Sequence, residues 1–152
     1  MANTTAMANS FKLELFAGTH VAADVYKIAL IKVGATGTYG AATTNVGTPG
    51  SGTPTTANLG TDEVTGTGYT SGGATLTGYS ATETGSVARV DFTSPTWPSS
   101  TISATGAIIY NSSKANKVVA VFDFGGTVSS TAGTFTATMP AVGDATSCLR
   151  IS

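Results

Sequence analysis

The chain has 152 residues and a formal net charge of −1. Charged residues make up 10% of it, well below the roughly 25% of ordinary soluble domains. The length fits one domain with its own core, and the near-neutral charge leaves no basic patch for nucleic acid and no polybasic segment for a membrane surface. No apolar run is long enough to span a membrane, and the first residues lack the pattern of a secretory signal.

Residues 8–17 carry the best helical pattern in the chain. Asn9 or Ser10 can cap the start of this helix, and Gly18 can end it. Its apolar residues are Phe11, Leu15 and Phe16. A helix this short is not stable alone in water, so we expect it to dock on a sheet or on a neighbouring molecule.

Residues 24–33 follow as a strand with apolar side chains on both faces. This pattern predicts burial on both sides, or burial on one side and a subunit contact on the other.

Residues 34–60 differ in character from the segments on either side. Gly, Thr, Ala and Pro dominate, Pro49 and Pro54 lie near the centre, and the composition offers nothing suited to a core. Because ordinary connections are shorter, we expect a functional loop or extended arm that leaves the body of the domain.

Asp62 and Glu63 are adjacent carboxylates, followed by a glycine-punctuated bend at residues 65–73. A calcium site needs a carboxylate cluster, and successive side chains of a strand point apart. Capping of a short helical turn is therefore the preferred interpretation. We expect no metal and no cofactor.

Two alternating strands are predicted next, at residues 74–79 and 86–92. In the second strand Ala88, Val90 and Phe92 are expected to face inward, and Arg89 and Asp91 outward. A turn with Trp97 as its aromatic anchor then leads into the following strand.

Residues 102–124 are the most apolar block of the chain. Two apolar runs flank a polar joint at residues 111–116, which is typical of an antiparallel hairpin. Ile102, Ala104, Gly106, Ile108 and Tyr110 share one face of the first strand, and Val118, Ala120, Phe122 and Phe124 share one face of the second. We expect this hairpin to form the centre of the fold.

Two further strands are predicted at residues 134–139 and 147–151. In the first, Phe135, Ala137 and Met139 alternate with threonines, which predicts a half-buried strand. About seven short strands and one helix predict an all-β sandwich or barrel, as a single domain covering residues 1–152.

The single histidine and the single cysteine give little support for catalysis. His20 follows the predicted helix, where a structural histidine is the preferred interpretation. Cys148 lies among apolar residues, which favours a small buried hydrophobe. With one cysteine, the chain can form no internal disulfide.

Three carboxylates, Glu83, Asp91 and Asp123, are candidates for a glycoside-hydrolysing pair. Surface ion pairs of the two aspartates with Arg89 and Lys117 explain these residues better. We therefore do not expect an enzyme.

Several sequence motifs occur together in a characteristic order. They are SFKLEL at 10–15, DVYKIAL at 24–30, DEVTGTGYTSGG at 62–73, Trp97, AIIYN at 107–111, DFGG at 123–126 and GTF at 133–135. In this order they resemble the capsid decoration, or cement, proteins of tailed bacteriophages. The resemblance spans almost the whole chain except residues 35–60, where typical members are shorter.

The resemblance implies a jelly-roll-like β-sandwich and a structural role on the outer surface of the virion capsid, after synthesis in the bacterial host cytoplasm. Its implied partners are the major capsid protein and copies of the same chain, as a dimer or trimer. Such a protein joins neighbouring capsid subunits through many modest contacts.

Two segments suit neither solvent nor a sandwich core, so we expect them to contact the capsid or a second copy. They are the helix with Phe11, Leu15 and Phe16, and the arm with Pro49 and Pro54. Packing of the helix on a sheet of the same chain is the alternative for Phe11 and Leu15.

A second functional interpretation is a tail-fibre or receptor-binding module that recognises a host surface glycan. Such a module would expose Tyr69, Tyr79 or Trp97 together as an aromatic platform, whereas a decoration protein should bury Trp97.

Overall fold

A long antiparallel hairpin lies at the centre of the computed structural model, which describes residues 3–141 and 148–152. Its strands are β6 (Thr96–Asn111) and β7 (Lys117–Thr136), joined by a short 3₁₀ turn at Ser112–Lys114. The prediction of a central hairpin is confirmed. Both strands are longer than the sequence indicated. The strand β6 begins at Thr96 instead of Ile102, and β7 continues past Phe124 into the segment predicted as a separate strand.

The remaining elements are arranged around this hairpin. They are β1 (Ala6–Met7), α1 (Asn9–Phe16), β2 (Tyr26–Lys32), a 3₁₀ turn (Gly60–Asp62), β3 (Ala74–Thr75), β4 (Ser80–Thr84), β5 (Val87–Asp91) and β8 (Leu149–Ile151). The five-stranded sheet has the order β1-β7-β6-β2-β3, and the three-stranded sheet has the order β4-β5-β8. All strand pairs are antiparallel. Two antiparallel sheets and one short helix are consistent with an all-β sandwich.

The strand β2 is buried on both faces, as its sequence predicted. Ile28 and Leu30 on one face and Ala29 and Ile31 on the other are all buried. β2 pairs with β6 on one side, so that Ile28 lies opposite Ile109. Because both faces of β2 are buried, other parts of the chain cover both faces of the five-stranded sheet at this strand.

The hairpin bends where residues of β7 outnumber their partners on β6. Ala104 pairs with Val128 and Gly106 pairs with Asp123, so residues 124–127 lie opposite Thr105 alone. Gly125, with φ of 72°, supplies the left-handed backbone that this irregularity requires.

Helix α1 ends as predicted but starts differently. Its N-cap is Ala8, which has no side-chain cap, so the prediction that Asn9 or Ser10 caps the start is wrong. At the other end Gly18 has φ of 65°, and the amides of Gly18 and Thr19 donate to the carbonyls of Leu15 and Glu14. These two bonds form a Schellman motif, which fixes the end of the helix.

Residues 34–60 pack on the body of the protein, so the expectation of an arm that leaves the domain is wrong. Tyr39, Val46 and Leu59 are almost completely buried. The amide of Val46 donates to the carbonyl of Asn116 in the hairpin turn, and the amide of Leu59 donates to the carbonyl of Val46. The burial of these three widely spaced apolar side chains contributes to holding this glycine-rich segment against the sheet.

The three-stranded sheet corrects one predicted orientation. Asp91 is buried, whereas the alternation in β5 predicted an outward position, and Ala88 is exposed rather than inward. The amide of Cys148 donates to Asp91 Oδ1 at 3.2 Å, and Arg89 Nε lies 3.8 Å from Oδ2. Cys148, the residue before β8, makes this contact with the carboxylate, and the sequence of β5 alone does not reveal it.

The last part of the chain follows its alternation. Phe135, Ala137 and Met139 are buried while the threonines between them are exposed, as predicted. Of the predicted final strand, Ser147 lies outside the described residues, and Leu149–Ile151 form β8. In the described part of the chain, no helix is long and apolar enough to cross a membrane.

Candidate protein-contact surface

An ion pair holds helix α1 against the central hairpin. Lys117 at the start of β7 donates from Nζ to Glu14 Oε1, and His20 Nε2 lies 2.7 Å from Glu14 Oε2. Burial alone would raise the pKa of Glu14, but the hydrogen bonds of Lys117 and His20 and the charge of Lys117 outweigh it, and the pKa is below its usual value. The charged carboxylate therefore ties the helix to the hairpin.

His20 links this pair to the hairpin turn. Its side chain is almost fully buried, and its Nδ1 lies 2.9 Å from Asn111 Nδ2. The amide of Ser113 donates to Asn111 Oδ1, which orients the Asn111 side chain so that its NH2 group faces His20 and Asp24. His20 Nδ1 is then an acceptor and Nε2 carries the proton, so this histidine serves as a structural bridge.

Asp24 completes the network on the other side of Asn111. Its carboxylate accepts from Asn111 Nδ2 at 2.8 Å and from the Val21 amide at 3.0 Å, and Lys114 lies 3.5 Å away. Burial raises the pKa of this carboxyl, but these donors prevail and the net pKa is lowered. The helix, the segment after it and the hairpin turn thus form one hydrogen-bonded unit.

The network around Glu14 holds α1 in place, yet the outer face of this helix exposes large apolar side chains. Phe11 is buried at 5% exposure, and Leu15 is half-buried. Phe16 is 94% exposed and Leu13 is 71% exposed. The structure therefore uses Phe11 for packing within the chain, while Leu13 and Phe16 present apolar surface outward.

An apolar groove lies beside α1, between the helix, β1 and the three-stranded sheet. Its volume is about 400 Å³. The larger apolar side chains that line it are Met7, Phe11, Leu15, Val90, Leu149 and Ile151, and the charged residues Glu83, Arg89 and Arg150 also line it. Ile151 is 53% exposed, so the groove is open to solvent at this strand.

The second predicted contact segment, residues 34–60, offers less surface than its composition indicated. Pro49 and Pro54 are both half-buried. Asn58 Nδ2 donates to the carbonyls of Ser51 and Thr53, which folds the centre of the segment onto itself.

Asp62 holds the first part of residues 34–60 in place through hydrogen bonds. It is buried and accepts hydrogen bonds from the amides of Thr36 and Gly37 and from the Tyr39 hydroxyl, at 2.7–3.0 Å. Desolvation raises the pKa of Asp62, but these donors and Lys32 outweigh it and the pKa is lowered. Desolvation and the hydrogen bond to Asp62 in turn raise the pKa of Tyr39.

Glu63 makes the equivalent hydrogen bonds to the bend at residues 65–73. Its carboxylate accepts from the Tyr69 hydroxyl, the Ser71 hydroxyl and the Gly72 amide, at 2.6–2.8 Å. The two adjacent carboxylates therefore point into separate sets of donors. A 3₁₀ turn, Gly60–Asp62, does lie at this pair, but it has no side-chain cap, so the prediction that these carboxylates cap a helical turn is wrong.

The aromatic side chains form two internal clusters. Trp97 is buried and lies between Tyr69 and Phe135, with ring centroids 5.9 and 5.8 Å away. In a separate cluster Tyr79 packs on Tyr26 and Phe92 at 5.7 Å. Tyr69, Tyr79 and Trp97 thus do not form one exposed platform.

The three carboxylates considered for catalysis lie in different surroundings. Glu83 lines the groove beside α1, and Asp123 lines another depression, next to residues 137–141. Asp91 is buried and is bonded to the amide of Cys148. Lys117 pairs with Glu14, so the predicted ion pair of Lys117 with Asp123 is wrong. Among the described residues, no group of three or more His, Cys, Asp or Glu side chains is placed to hold a metal ion.

Sequence patterns had not indicated the network around Glu14 and Asn111 or the burial of Asp62 and Glu63. The partners of each group are distant in the sequence, and Lys117 and Glu14 are 103 positions apart. The motif DEVTGTGYTSGG holds one such signal, because it contains Glu63 together with all three of its donors.

Comparison with known proteins gives no match. No protein-family model matches the sequence, no curated protein is similar to it, and no solved structure matches its fold.

Proposed function

We propose that this protein is a structural component of a tailed-bacteriophage virion, a decoration or cement protein on the outside of the icosahedral capsid. In this role it binds the major capsid protein and joins neighbouring capsid subunits. The motifs from residue 10 to residue 135 that resemble this family support the proposal. A jelly-roll-like connectivity, which the same resemblance implies, belongs to the proposal, and the eight strands in two sheets found among the described residues are compatible with it.

The observation that carries the proposal is the outer face of α1. Phe16 and Leu13 are exposed on a helix that Glu14, His20 and Lys117 hold in a fixed position. A flexible apolar side chain loses entropy on binding, whereas a helix that is already fixed presents its side chains at lower cost. Exposed aromatic residues on rigid elements are typical centres of protein–protein contacts.

The low charge of the surface supports the same role. The segment from Phe124 to Met139 contains no charged residue, and most of its side chains up to Thr134 are exposed. Edge strands of free-standing proteins are commonly protected by charged residues, and contact with neighbouring subunits is another form of protection. Many copies on one shell would add modest contacts into strong attachment.

Binding to capsids that lack their decoration protein tests the proposal. Purified protein should sediment with such heads and raise the temperature at which they break open. Phe16→Ser should weaken this binding, while Val33→Ser, a control at an exposed apolar side chain outside both proposed contact surfaces, should not. Binding to host cells without binding to heads would refute the proposal and support the receptor-binding interpretation.

The buried position of Trp97 counts against a glycan-binding platform. Because Trp97 is buried, we expect its fluorescence emission maximum to lie at short wavelength and its emission to resist quenching by iodide. We also expect host-surface glycans to leave this emission unchanged. A saturable glycan-dependent change in this emission would contradict the proposal.

A further inference from the structure

We infer that the uncovered edge of β7 at residues 127–131 binds an extended, uncharged segment of the major capsid protein, which joins the sheet as an added strand. We call these residues the open edge. The inference rests on the proposed function and deepens it, because it names the part of the partner that binds and the groups that hold it. The contact is made by backbone groups, so it needs no pocket.

The outer side of β7 is covered only in the first part of the strand. The sheet order places β6 on one side of β7 and β1 on the other. β1 reaches Val121, and the amide of Asp123 donates to Thr5 Oγ1 at 2.9 Å. The chain then leaves the sheet edge, because the amide of Thr4 donates to the carbonyl of Tyr39. Past this point the described residues supply no further strand on this side of β7.

Backbone donors and acceptors point outward along the open edge. The amide of Thr101 in β6 donates to the carbonyl of Thr67, on the side of β6 that faces away from β7. Ser103, two residues further along β6, directs its backbone groups to the same side. Ser129 lies directly opposite Ser103 in the register. Its N–H and C=O groups therefore point away from β6, into the open edge.

These outward groups select an extended chain as their partner. Alternation along β7 gives Thr127 and Thr131 the same direction as Ser129. Within residues 3–141 and 148–152, the backbone of the open edge has no hydrogen-bond partner outside the hairpin. Unpaired backbone groups at a sheet edge bind another extended backbone, which becomes a new strand.

The backbone on either side limits the length of the added strand. Gly125 has φ of 72° and Ala132 has φ of 47°, so the extended conformation is interrupted before and after the open edge. An added strand is therefore no longer than the open edge itself.

The side chains around the open edge define the chemistry of the added segment. Its sequence is TVSST, and the neighbouring strand β6 (Thr96–Asn111) has no charged residue. Charged residues and proline are the usual means of blocking an edge, and the open edge has neither. A charged residue in the added strand would find no opposite charge across the ladder. We therefore expect an uncharged segment.

The open edge lies on the same side of the sheet as the proposed contact helix. The helix α1 follows β1 directly, and the amide of Ala8 between them donates to the carbonyl of Val119 in β7. Phe16 and Leu13 are exposed on this helix. A partner that contacts Phe16 therefore approaches the side of β7 on which its backbone is unpaired.

Binding to heads that lack their decoration protein tests the inference with a matched pair of variants. Ser129→Pro removes the outward amide and no bond to β6, so it should raise the Kd for heads about tenfold or more. Ser129→Ala loses the same hydroxyl contact with Ser103 but keeps the amide, so it should bind like the wild type. Trp97 packs on Phe135 of the same hairpin, so an unchanged Trp97 emission shows that Ser129→Pro is folded.

A second pair of variants leaves the backbone intact. Thr131→Lys places a charge on the open edge and should weaken binding to heads, as edge lysines do in other sheets. Thr131→Gln is similar in length but neutral, and it should bind more tightly than Thr131→Lys. This pair decides the matter if Ser129→Pro does not fold.

Hydrogen exchange, read by mass spectrometry with single-residue fragmentation, locates the added strand. The outward amide of Ser129 should exchange fast in the free protein and become protected on heads. The amides of Val128 and Ser130, which face β6, are the internal control and should be protected in both states.

The outcomes separate this inference from the proposed function. Wild-type binding to heads that neither Ser129→Pro nor Thr131→Lys weakens would overturn the inference alone, as would an unprotected Ser129 amide on heads. Protection of this amide that rises with the concentration of free protein would also overturn it, because a second copy would then occupy the open edge. Absence of wild-type binding would refute the proposed function and this inference with it.

Discussion

His20 Nε2 and Glu14 Oε2 lie 2.7 Å apart, and through this contact helix α1 is joined to the segment that follows it. Asn111 on the other side of the imidazole connects the same unit to the hairpin turn. A helix of eight residues would not persist in water by propensity alone. Its position therefore depends on this network and on Phe11, which it buries against the sheet.

Truncation of the two phenylalanines of α1 is expected to change the free energy of unfolding by very different amounts. Phe11→Ala removes a buried ring and should lower the free energy of unfolding by about 3 kcal/mol. Phe16→Ala removes an exposed ring and should change it by no more than about 0.5 kcal/mol. Urea unfolding at low protein concentration measures both without a contribution from association. Equal losses would contradict the assigned burial.

Asp62 is expected to be essential for holding residues 34–60 on the sheet. Asp62→Asn places an NH2 group among the amides of Thr36 and Gly37 and the Tyr39 hydroxyl, which need acceptors. We expect the free energy of unfolding to fall by about 3 kcal/mol. The matched control is Asp123→Asn, because this exposed residue keeps an oxygen for the Gly125 amide. The control should change stability by less than about 0.5 kcal/mol.

Three buried or half-buried carboxyls make stability depend on acid pH. The pKa values of Glu14, Asp24 and Asp62 are lowered in the folded state, from ordinary values of 4.5, 3.8 and 3.8. The stabilisation is therefore complete above these ordinary values and is lost as the pH falls through the lower folded-state values. Unfolding measured from pH 7 downward should show a steep loss of stability that begins below pH 4.5.

Glu14→Gln provides the control for this pH dependence. The variant lacks one of the three carboxyls, so its stability should fall less steeply with acid than that of the wild type. An unchanged slope would show that Glu14 has the same pKa in the folded and unfolded states.

Two glycines with similar backbone conformations should differ sharply in their tolerance of alanine. A Cβ at Gly73 would lie 1.8 Å from the carbonyl oxygen of Ile28, whereas a Cβ at Gly85 would meet nothing within 4 Å. Both have positive φ, of 69° and 60°. Gly85→Ala should cost only the left-handed backbone strain, about 1 kcal/mol. Gly73→Ala must also displace β2 and should cost roughly 3 kcal/mol or more. Thermal unfolding of both variants checks the difference.

Cys148 is expected to be chemically inert in the folded protein. Burial, with a smaller contribution from Asp91, raises the pKa of its thiol to about 12, so little thiolate exists near neutral pH. Reaction with a disulfide reagent at pH 8 should be slow in native protein and fast after denaturation. Rapid reaction of the native protein would contradict the burial of this side chain.

The sequence by itself determined the features that depend on local periodicity. Alternation identified the central hairpin, the doubly buried strand β2 and the inward positions of Phe135, Ala137 and Met139. The end of α1 was also readable, because Gly18 is the residue that a left-handed helix terminus prefers. These patterns are local, since the side-chain period of a strand or helix is set by its own backbone.

Only the tertiary structure decided which polar groups are buried and which apolar groups remain exposed. The alternation in β5 predicted that Asp91 faces outward, but Asp91 is buried and accepts a hydrogen bond from the amide of Cys148, 57 positions away. Residues 34–60 lacked any core pattern, yet Asp62 and the hairpin turn hold them against the sheet. Conversely, the helical pattern placed Phe11, Leu15 and Phe16 on one side of α1, and only the structure shows that Phe11 is buried while Phe16 stays exposed. Burial depends on partners that distant segments supply, and no local pattern encodes them.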